Sequence, residues 1–442
     1  MLKEKSNVAP RPLIKVKENV YLTIRNVGPI TDTGRLSLSP VTLVIGEQST
    51  GKSTLMKILC FCQWVEKHIM LDGNNLVSAY THYSRFRKEL MKYHRISEDS
   101  FSEHSYVRYE SDALTIELTG KKGNAKITRS RTFTDVQHNY KLCFMPAERN
   151  LLSAVARIDK VYRSNDFDML FNYIMEWGEA RAHYTSDHPL PLAFKRDMKF
   201  YYDEARDQDV LLLENVGKRI KPFYASSGVQ SALPIALMSN YLSSVVGQNA
   251  KTTPKDMSHQ LQTEQLIERL QHLTKTKGVD NELVNKITRS LTELVGDRNN
   301  MLTRYMHFNF YVEEPEQNLF PTSQHELLRS LIFHLHKAYE KTQVPSRMML
   351  TTHSPYILTA LNVMMQAAVA TKIDADKTLK IVSKEEILPL DWYTAYYIKP
   401  DGKVENLIDE EDHFIKGDYL DAISSTVDEL SYQLNEIIYA ND

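Results

Sequence analysis

Nine residues near the amino end hold the densest chemistry in the chain: Gly46-Glu47-Gln48-Ser49-Thr50-Gly51-Lys52-Ser53-Thr54. Gly46 and Gly51 let a backbone turn tightly and approach a ligand with no Cβ in the way. The amides of such a loop, and of a helix behind it, point at one spot where the helix dipole favours negative charge. With an ammonium and hydroxyls at its end, this is the spacing of a phosphate-binding loop. Lys52 is placed to bridge the β- and γ-phosphates of a nucleoside triphosphate, and Ser53 to hold Mg²⁺. The candidate contacts are Gly46, Gln48, Ser49, Thr50, Gly51, Lys52, Ser53 and Thr54. A chance match is the plain alternative. The apolar runs 41–45 before and 55–59 after supply the strand–loop–helix context that a chance match lacks.

A second concentration of charge, Glu313-Glu314-Pro315-Glu316, ends the apolar run 307–312. Buried acids at a strand end are unfavourable without a cation. In a nucleotide site the first, Glu313, would hold the Mg²⁺ shell and the second, Glu314, would orient the attacking water. Two exposed acids opening a loop are the alternative. A third piece, Ala225-Ser226-Ser227-Gly228-Val229-Gln230, opens an apolar helix and offers a hydroxyl and free amides, suited to a γ-phosphate or to plain capping. A fourth, Met349-Leu350-Thr351-Thr352-His353-Ser354-Pro355, runs a strand into a histidine. A lone histidine is more often structural, but the carboxy end of a strand in a P-loop sheet is where ligands sit.

Positioning these pieces needs an α/β fold, and the chain reads that way. Residues 20–24 and 36–45 read as two strands around Gly28-Pro29, and 106–108, 114–118 and 125–128 as an antiparallel sheet beside the loop. Residues 142–145 read as a buried strand ended by Pro146. The pattern over 151–216 reads as helical with a break at 188–191, and 232–246 as a strong apolar helix. Residues 255–304 read as a polar helical arm. After the strand to Val312 come a helix over 324–341, strands at 347–350, 378–381 and 392–397, and a closing helix from about residue 419. The lobes expected are 1–150 with the P-loop and antiparallel sheet, 151–253 helical, 254–306 the arm, and 307–442 with the acidic strand and the histidine.

Composition narrows the class. The chain has 442 residues, 42% hydrophobic and 25% charged, enough for a large core. Cys60, Cys62 and Cys143 cannot form a disulfide framework; the first two read as packing residues, and a reducing cytoplasm fits. No run of about eighteen apolar residues suggests a membrane span. Net charge is −2, but Arg85, Arg87, Lys88, Lys92 and Arg95 cluster, as do Lys121, Lys122, Lys126, Arg129 and Arg131. Solvated faces are one reading of residues 85–131, and a DNA or RNA backbone contact the other. Asp409–Asp412 reads as a solvated acidic run.

The order of P-loop, Ser-Ser-Gly-x-Gln, Glu-Glu-Pro-Glu and Thr-His-Ser-Pro resembles the ABC-type ATPases, and within them the RecF, OLD and SMC-like branch of standalone bacterial "AAA family ATPase" proteins. The opening Leu22-Thr23-Ile24-Arg25-Asn26-Val27-Gly28-Pro29-Ile30 and the segment Phe144-Met145-Pro146-Ala147-Glu148-Arg149 are similar to that branch. The resemblance implies an ABC-type P-loop head: a mixed sheet plus an antiparallel β lobe, with a helical lobe and a short helical insertion. It implies a homodimer or larger homo-oligomer, with ATP and Mg²⁺ held between the P-loop of one protomer and Ser227, Gly228 and Gln230 of the other. Glu314 would be the catalytic carboxylate and His353 the switch histidine.

Three departures stand out. Glu313 replaces the usual aspartate, Val229 replaces the second signature glycine, and the Q-loop glutamine has no clear place, with Gln63 close to the P-loop and Gln137 farther on. Arg149 is open between a phosphate contact and a salt bridge with Glu148. The expected role is an ATP-gated sensor resembling the ATPase subunits of antiphage systems such as Septu or PARIS, working with a separate nuclease or toxin. The alternatives are a RecF-like DNA-repair or chromosome-associated ATPase and a non-catalytic ATP-locked scaffold. Asp374-Ala375-Asp376 superficially resembles a TOPRIM nuclease motif but has no upstream glutamate strand, so a nuclease within the chain is rejected.

Overall fold

The computed structural model describes residues 19–72, 74–133, 136, 138–155, 158, 168–250, 303–409 and 414–416. The elements in chain order are strands β1 (Val20–Val27), β2 (Ile30–Asp32), β3 (Leu36–Leu38) and β4 (Val41–Gly46), then helices α1 (Lys52–Asp72), α2 (Asn74–Thr81) and α3 (Arg85–His94). Strands β5 (Phe101–Glu110), β6 (Leu114–Thr119), β7 (Lys126–Arg129) and β8 (Asn139–Met145) follow, then α4 (Leu151–Ala154) and α5 (Met169–Arg181). Next come β9 (Leu190–Pro191), β10 (Met198–Asp203), β11 (Gln208–Leu213), β12 (Lys218–Ile220) and α6 (Ser227–Val245). The described chain ends with β13 (Tyr305–Glu313), α7 (Pro321–Thr342), β14 (Arg347–Thr352), α8 (Pro355–Ile373), α9 (Ala375–Thr378), β15 (Tyr393–Ile398) and β16 (Val404–Asn406).

The central sheet runs β16-β15-β4-β14-β13-β8, parallel except for β16. Every residue of β4, β8, β13 and β14 is buried, as a sheet covered on both faces requires. Alternate side chains go to opposite faces. Val44, Leu142, Phe144, Tyr311, Met349 and Tyr396 join α1, α2, α3 and the antiparallel sheet in one core. Leu43, Cys143, Phe310, Leu350 and Ala395 join α5, α6, α7 and α8 in the other. The antiparallel lobe runs β2-β1-β5-β6-β7, with β3 also paired to β1. The expected α/β class, with a mixed P-loop sheet and an antiparallel β lobe, is therefore what the chain adopts, and helices pack on the far face.

Three expectations change. Residues 36–45 do not form one strand: β3 pairs with β1, while β4 enters the central sheet, and the break falls at Ser39-Pro40. Proline has no amide to continue a ladder. Residues 190–220 are not helical; β9 to β12 make an antiparallel sheet in the order β12-β11-β10-β9. Its turns need left-handed residues, Asp207 at φ 47° and Gly217 at φ 62°, and its aromatic residues suit a pleated surface. Residues 378–381 are no strand: Asp374 caps the short α9 by accepting from the Lys377 amide at 3.0 Å. Helix α8 is long and apolar enough to cross a membrane by length and composition, with mean hydropathy 1.2. Its Ile357, Leu361, Met364 and Met365 lie in the core, which makes it a core helix here. The arm, residues 251–302, and the closing helix lie outside the described residues.

Candidate nucleotide site

Three neighbouring parallel strands end on one edge. Val44 of β4 pairs with Thr351 of β14, and Thr351 with Glu313 of β13. The P-loop, His353 and the acidic turn therefore emerge side by side, where an open α/β sheet binds ligands.

The P-loop is shaped as its glycines require. Gly51 has φ +111°, and a Cβ there would lie 2.6 Å from Ile30 Cγ1. A Cβ on Gly46 would lie 2.8 Å from the Ile398 carbonyl oxygen. Ser49 also takes a left-handed backbone, at φ 62°. Thr50 is buried and its hydroxyl donates to the Glu47 carbonyl at 2.9 Å. Gln48, Ser49 and Ser53 are exposed, and Thr54 is half-buried. Lys52 is buried, and Nζ donates to the carbonyls of Gly46 at 2.8 Å and Glu47 at 2.6 Å. Burial pushes its pKa down to about 8, against the upward pull of Glu314, Glu316, Glu313 and Glu47.

Glu313 is buried at the end of β13. Its Oε2 accepts from the Ala147 amide at 3.1 Å, while buried Oε1 has no hydrogen-bond partner. An unspent buried carboxylate oxygen facing a P-loop fits a cation ligand. Among the described residues no three His, Cys, Asp or Glu side chains converge on a metal point. Mg²⁺ carried with phosphates needs only one or two protein ligands, a role that Glu313 and Ser53 would be enough to fill.

Glu314 leaves the strand in a left-handed backbone, φ 46°, strained for a non-glycine residue. Its amide donates to the Thr351 carbonyl at 2.9 Å, and its Oε1 lies 3.7 Å from His353 Nε2. Both side chains are partly open, 40% and 31% exposed. The His353 amide donates to Glu316 Oε1 at 2.8 Å, giving Glu316 a place in the site that its position alone did not reveal.

Arg149 turns its guanidinium onto main-chain carbonyls and not onto Glu148. It is fully buried, and its guanidinium donates to the carbonyls of Ser231, Glu313, Glu314 and Pro146. Burial lowers its pKa, with Tyr173, Glu316, Glu314 and Glu313 opposing.

The signature-like segment starts α6. Ser226 and Ser227 are exposed, and Ser226 makes no side-chain cap bond. Gly228 lies against the loop after Glu314: a Cβ would sit 2.6 Å from the Asn318 carbonyl oxygen. Val229 is buried in the core, so its replacement of a glycine is a packing choice. Gln230 Nε2 donates to the carbonyls of Pro222 and Phe223 at 3.2 and 2.9 Å, bracing the loop before the helix. Among the described residues no hydrogen bond joins Ser227, Gly228 or Gln230 to the P-loop of the same chain. Gln63 is buried, where its Oε1 accepts from Asn309 Nδ2 at 2.7 Å and from Tyr311 OH, tying α1 to β13. Gln137 lies outside the described residues.

No family model matches the chain, and no curated protein matches it. Solved structures similar to it include the SMC head domain from Thermotoga maritima, at 10% identity, TM-score 0.34, covering 77% of this chain and 91% of that one. A Pyrococcus furiosus Smc head with an extended coiled coil, bound to the C-terminal domain of ScpA, is similar at 9% identity and TM-score 0.37, covering 88% and 96%. The recombination mediator RecF bound to an ATP analogue is similar at 12% identity and TM-score 0.25, covering 88% and 98%. The architecture described above rests on the chain's own strand order and site geometry.

Proposed function

We propose that the chain is an ATP-binding and ATP-hydrolysing ABC-type head of the SMC/RecF-like kind. One observation carries this reading: a buried P-loop lysine faces Glu313, Glu314 and Glu316 across the ends of three adjacent parallel strands. Phosphate oxygens would take over Lys52 from the Gly46 and Glu47 carbonyls. Mg²⁺, held through Ser53 and the free oxygen of Glu313, would neutralise phosphate charge. Glu314 would orient the attacking water and accept its proton, and His353 would meet the γ-phosphate from the neighbouring strand.

A head-to-head dimer completes the site in this reading. The amides opening α6 are available to a second copy's nucleotide, with Ser227, Gly228 and the Gln230-braced loop forming its far wall. Phe223 and Tyr224 before the helix are 52% and 70% exposed, and Phe320 beyond Gly228's packing partner Leu319 is 74% exposed. Aromatic residues left open around a polar site suit a protein interface. The biological role we favour is a cytoplasmic, ATP-gated sensor of an antiphage system whose effector, a nuclease or toxin, is a separate protein.

The test is turnover and capture. The unmodified chain should hydrolyse ATP, and Glu314→Gln should lower kcat about 100-fold or more while retaining ATP. Glu314→Gln purified from the native host should carry a stoichiometric protein that Lys52→Ala releases. Binding without turnover in the unmodified chain would establish the locked scaffold instead. Nuclease-sensitive nucleic acid alone would favour a repair or chromosome-associated role. That second reading has its own support: Ser84 bonds Asn124 and the Lys122 carbonyl, joining the two basic stretches in space.

A further inference from the structure

Arg149 holds its place at a high cost in burial and, among the described residues, makes no ion pair; its four guanidinium partners there are main-chain carbonyls. Nη1 donates to the Glu313 carbonyl at 2.6 Å and Nη2 to the Glu314 carbonyl at 2.5 Å. In an extended strand, successive carbonyls point to opposite sides. One planar fork can take both only where the chain leaves the strand, and the left-handed φ of 46° at Glu314 is that departure. The fork therefore grips the bend that aims the Glu314 side chain.

The same guanidinium also touches the signature helix. Nε donates to the Ser231 carbonyl at 2.9 Å, one turn into α6. A parallel link runs from Asn318 Nδ2 to Ser231 Oγ at 3.1 Å, beside the close approach of Gly228 to the Asn318 carbonyl. Ser231 lies in the first turns of α6, ahead of Pro234, so a displacement of the helix's exposed N-terminus would reach the Glu314 turn through these contacts.

We propose that Arg149 is a positioning residue that sets the Glu314 turn from the position of helix α6, making hydrolysis at the P-loop depend on what seats on the helix's N-terminus. The proposal rests on the hydrolytic reading above. A lysine keeps the charge but has no fork, so it cannot hold both carbonyls and the helix at once.

The variants Arg149→Lys, Asn318→Gly and Ser231→Ala test it. Affinity for a fluorescent ATP analogue with Mg²⁺ and single-turnover hydrolysis per bound nucleotide are measured together, so unfolded chains do not count. Arg149→Lys should keep affinity within about threefold and lose about 100-fold in hydrolysis per bound nucleotide, as a misplaced catalytic group does. The two milder variants should lose several-fold with the same split. Hydrogen exchange gives a readout that lost stability alone does not. Nucleotide should slow amides 227–230 and 314–318 in the parent, but only 227–230 in Arg149→Lys.

Hydrolysis within threefold of the parent in Arg149→Lys overturns the proposal. If that variant does not fold, parental hydrolysis in both Asn318→Gly and Ser231→Ala overturns it. Should the parent bind ATP without turnover, the hydrolytic reading fails instead. The exchange experiment then decides alone: protection of 314–318 that persists without the Arg149 fork, or without the Asn318 and Ser231 links, refutes the coupling.

Discussion

Two charged regions of this molecule are built in opposite ways. In the amino-terminal lobe several arginines meet acids, most of them near in sequence and one far away. Arg95 meets Asp168 at 2.6 Å, Arg108 meets Glu117 at 2.6 Å and Glu110 at 3.2 Å, and Arg85 meets Glu89 at 2.6 Å. At the nucleotide edge, Lys52 lies among glutamates yet bonds only carbonyls, and no carboxylate of the described residues is within ion-pair distance of it. Exposed pairs of the first kind contribute about 0–1 kcal/mol each. Buried, unpaired charges of the second kind are unfavourable unless a ligand compensates them. In the lobe Arg85, Arg95 and Arg108 use their charge within the fold, whereas Lys52 and Glu313 at the edge keep theirs available.

Equivalent glycine changes sharpen that contrast. Gly51→Ala must tolerate φ +111° and a Cβ 2.6 Å from Ile30, so the P-loop has to move. ATP affinity should fall about 100-fold, about 2.7 kcal/mol. Gly120→Ala, in the turn after β6, carries φ +71° but its Cβ meets nothing nearer than 3.5 Å. It should lose about 1 kcal/mol of stability and leave ATP affinity alone. Equal effects on nucleotide binding, read by calorimetry, would mean that the P-loop is not the site.

What was legible in the sequence follows from the range of the forces involved. The P-loop, the acidic turn and the His353 turn are local patterns, and each sits where its flanking strand predicted. The grip of Arg149 on Glu313 and Glu314 spans more than 160 residues and has no local signature. The pairing of Arg95 with Asp168, 73 residues away, is hidden from a charge count for the same reason. The sheet over residues 190–220 went unread because β9 and β12 have only two and three residues, and the six-residue β10 and β11 show no clean alternation of burial. Such runs do not establish an alternation, and tertiary pairing decided the outcome. Pro40 was the readable mark of the β3–β4 break, where a single apolar run feeds two different sheets.

The pKa of Lys52 gives a smaller, graded effect. Phosphate favours the ammonium, so its pKa must rise from about 8 when nucleotide binds, and binding above that pH takes up a proton. ATP affinity should be level below pH 8 and fall by up to tenfold per unit above it. The excess should appear as proton uptake when calorimetry is repeated in buffers of different ionisation enthalpy. Affinity unchanged from pH 7 to about 9.5 would show that the buried ammonium does not contact the phosphates.

The smallest effect is expected where the two regions differ most. Lys122 and Lys126 are exposed and Lys121 half-buried beside the Ser84 junction, the part of the lobe least matched by acids. If nucleic acid uses this surface, each lysine neutralises about one phosphate. Reversing all three to glutamate should flatten the slope of log affinity against log salt by about 2.7 for duplex DNA. ATP turnover should stay at the parental value, since none of the three reaches the nucleotide edge. An unchanged slope would make the basic stretches a solvated surface, leaving the carbonyl-bound lysine and its glutamates as the charge the fold holds for a ligand.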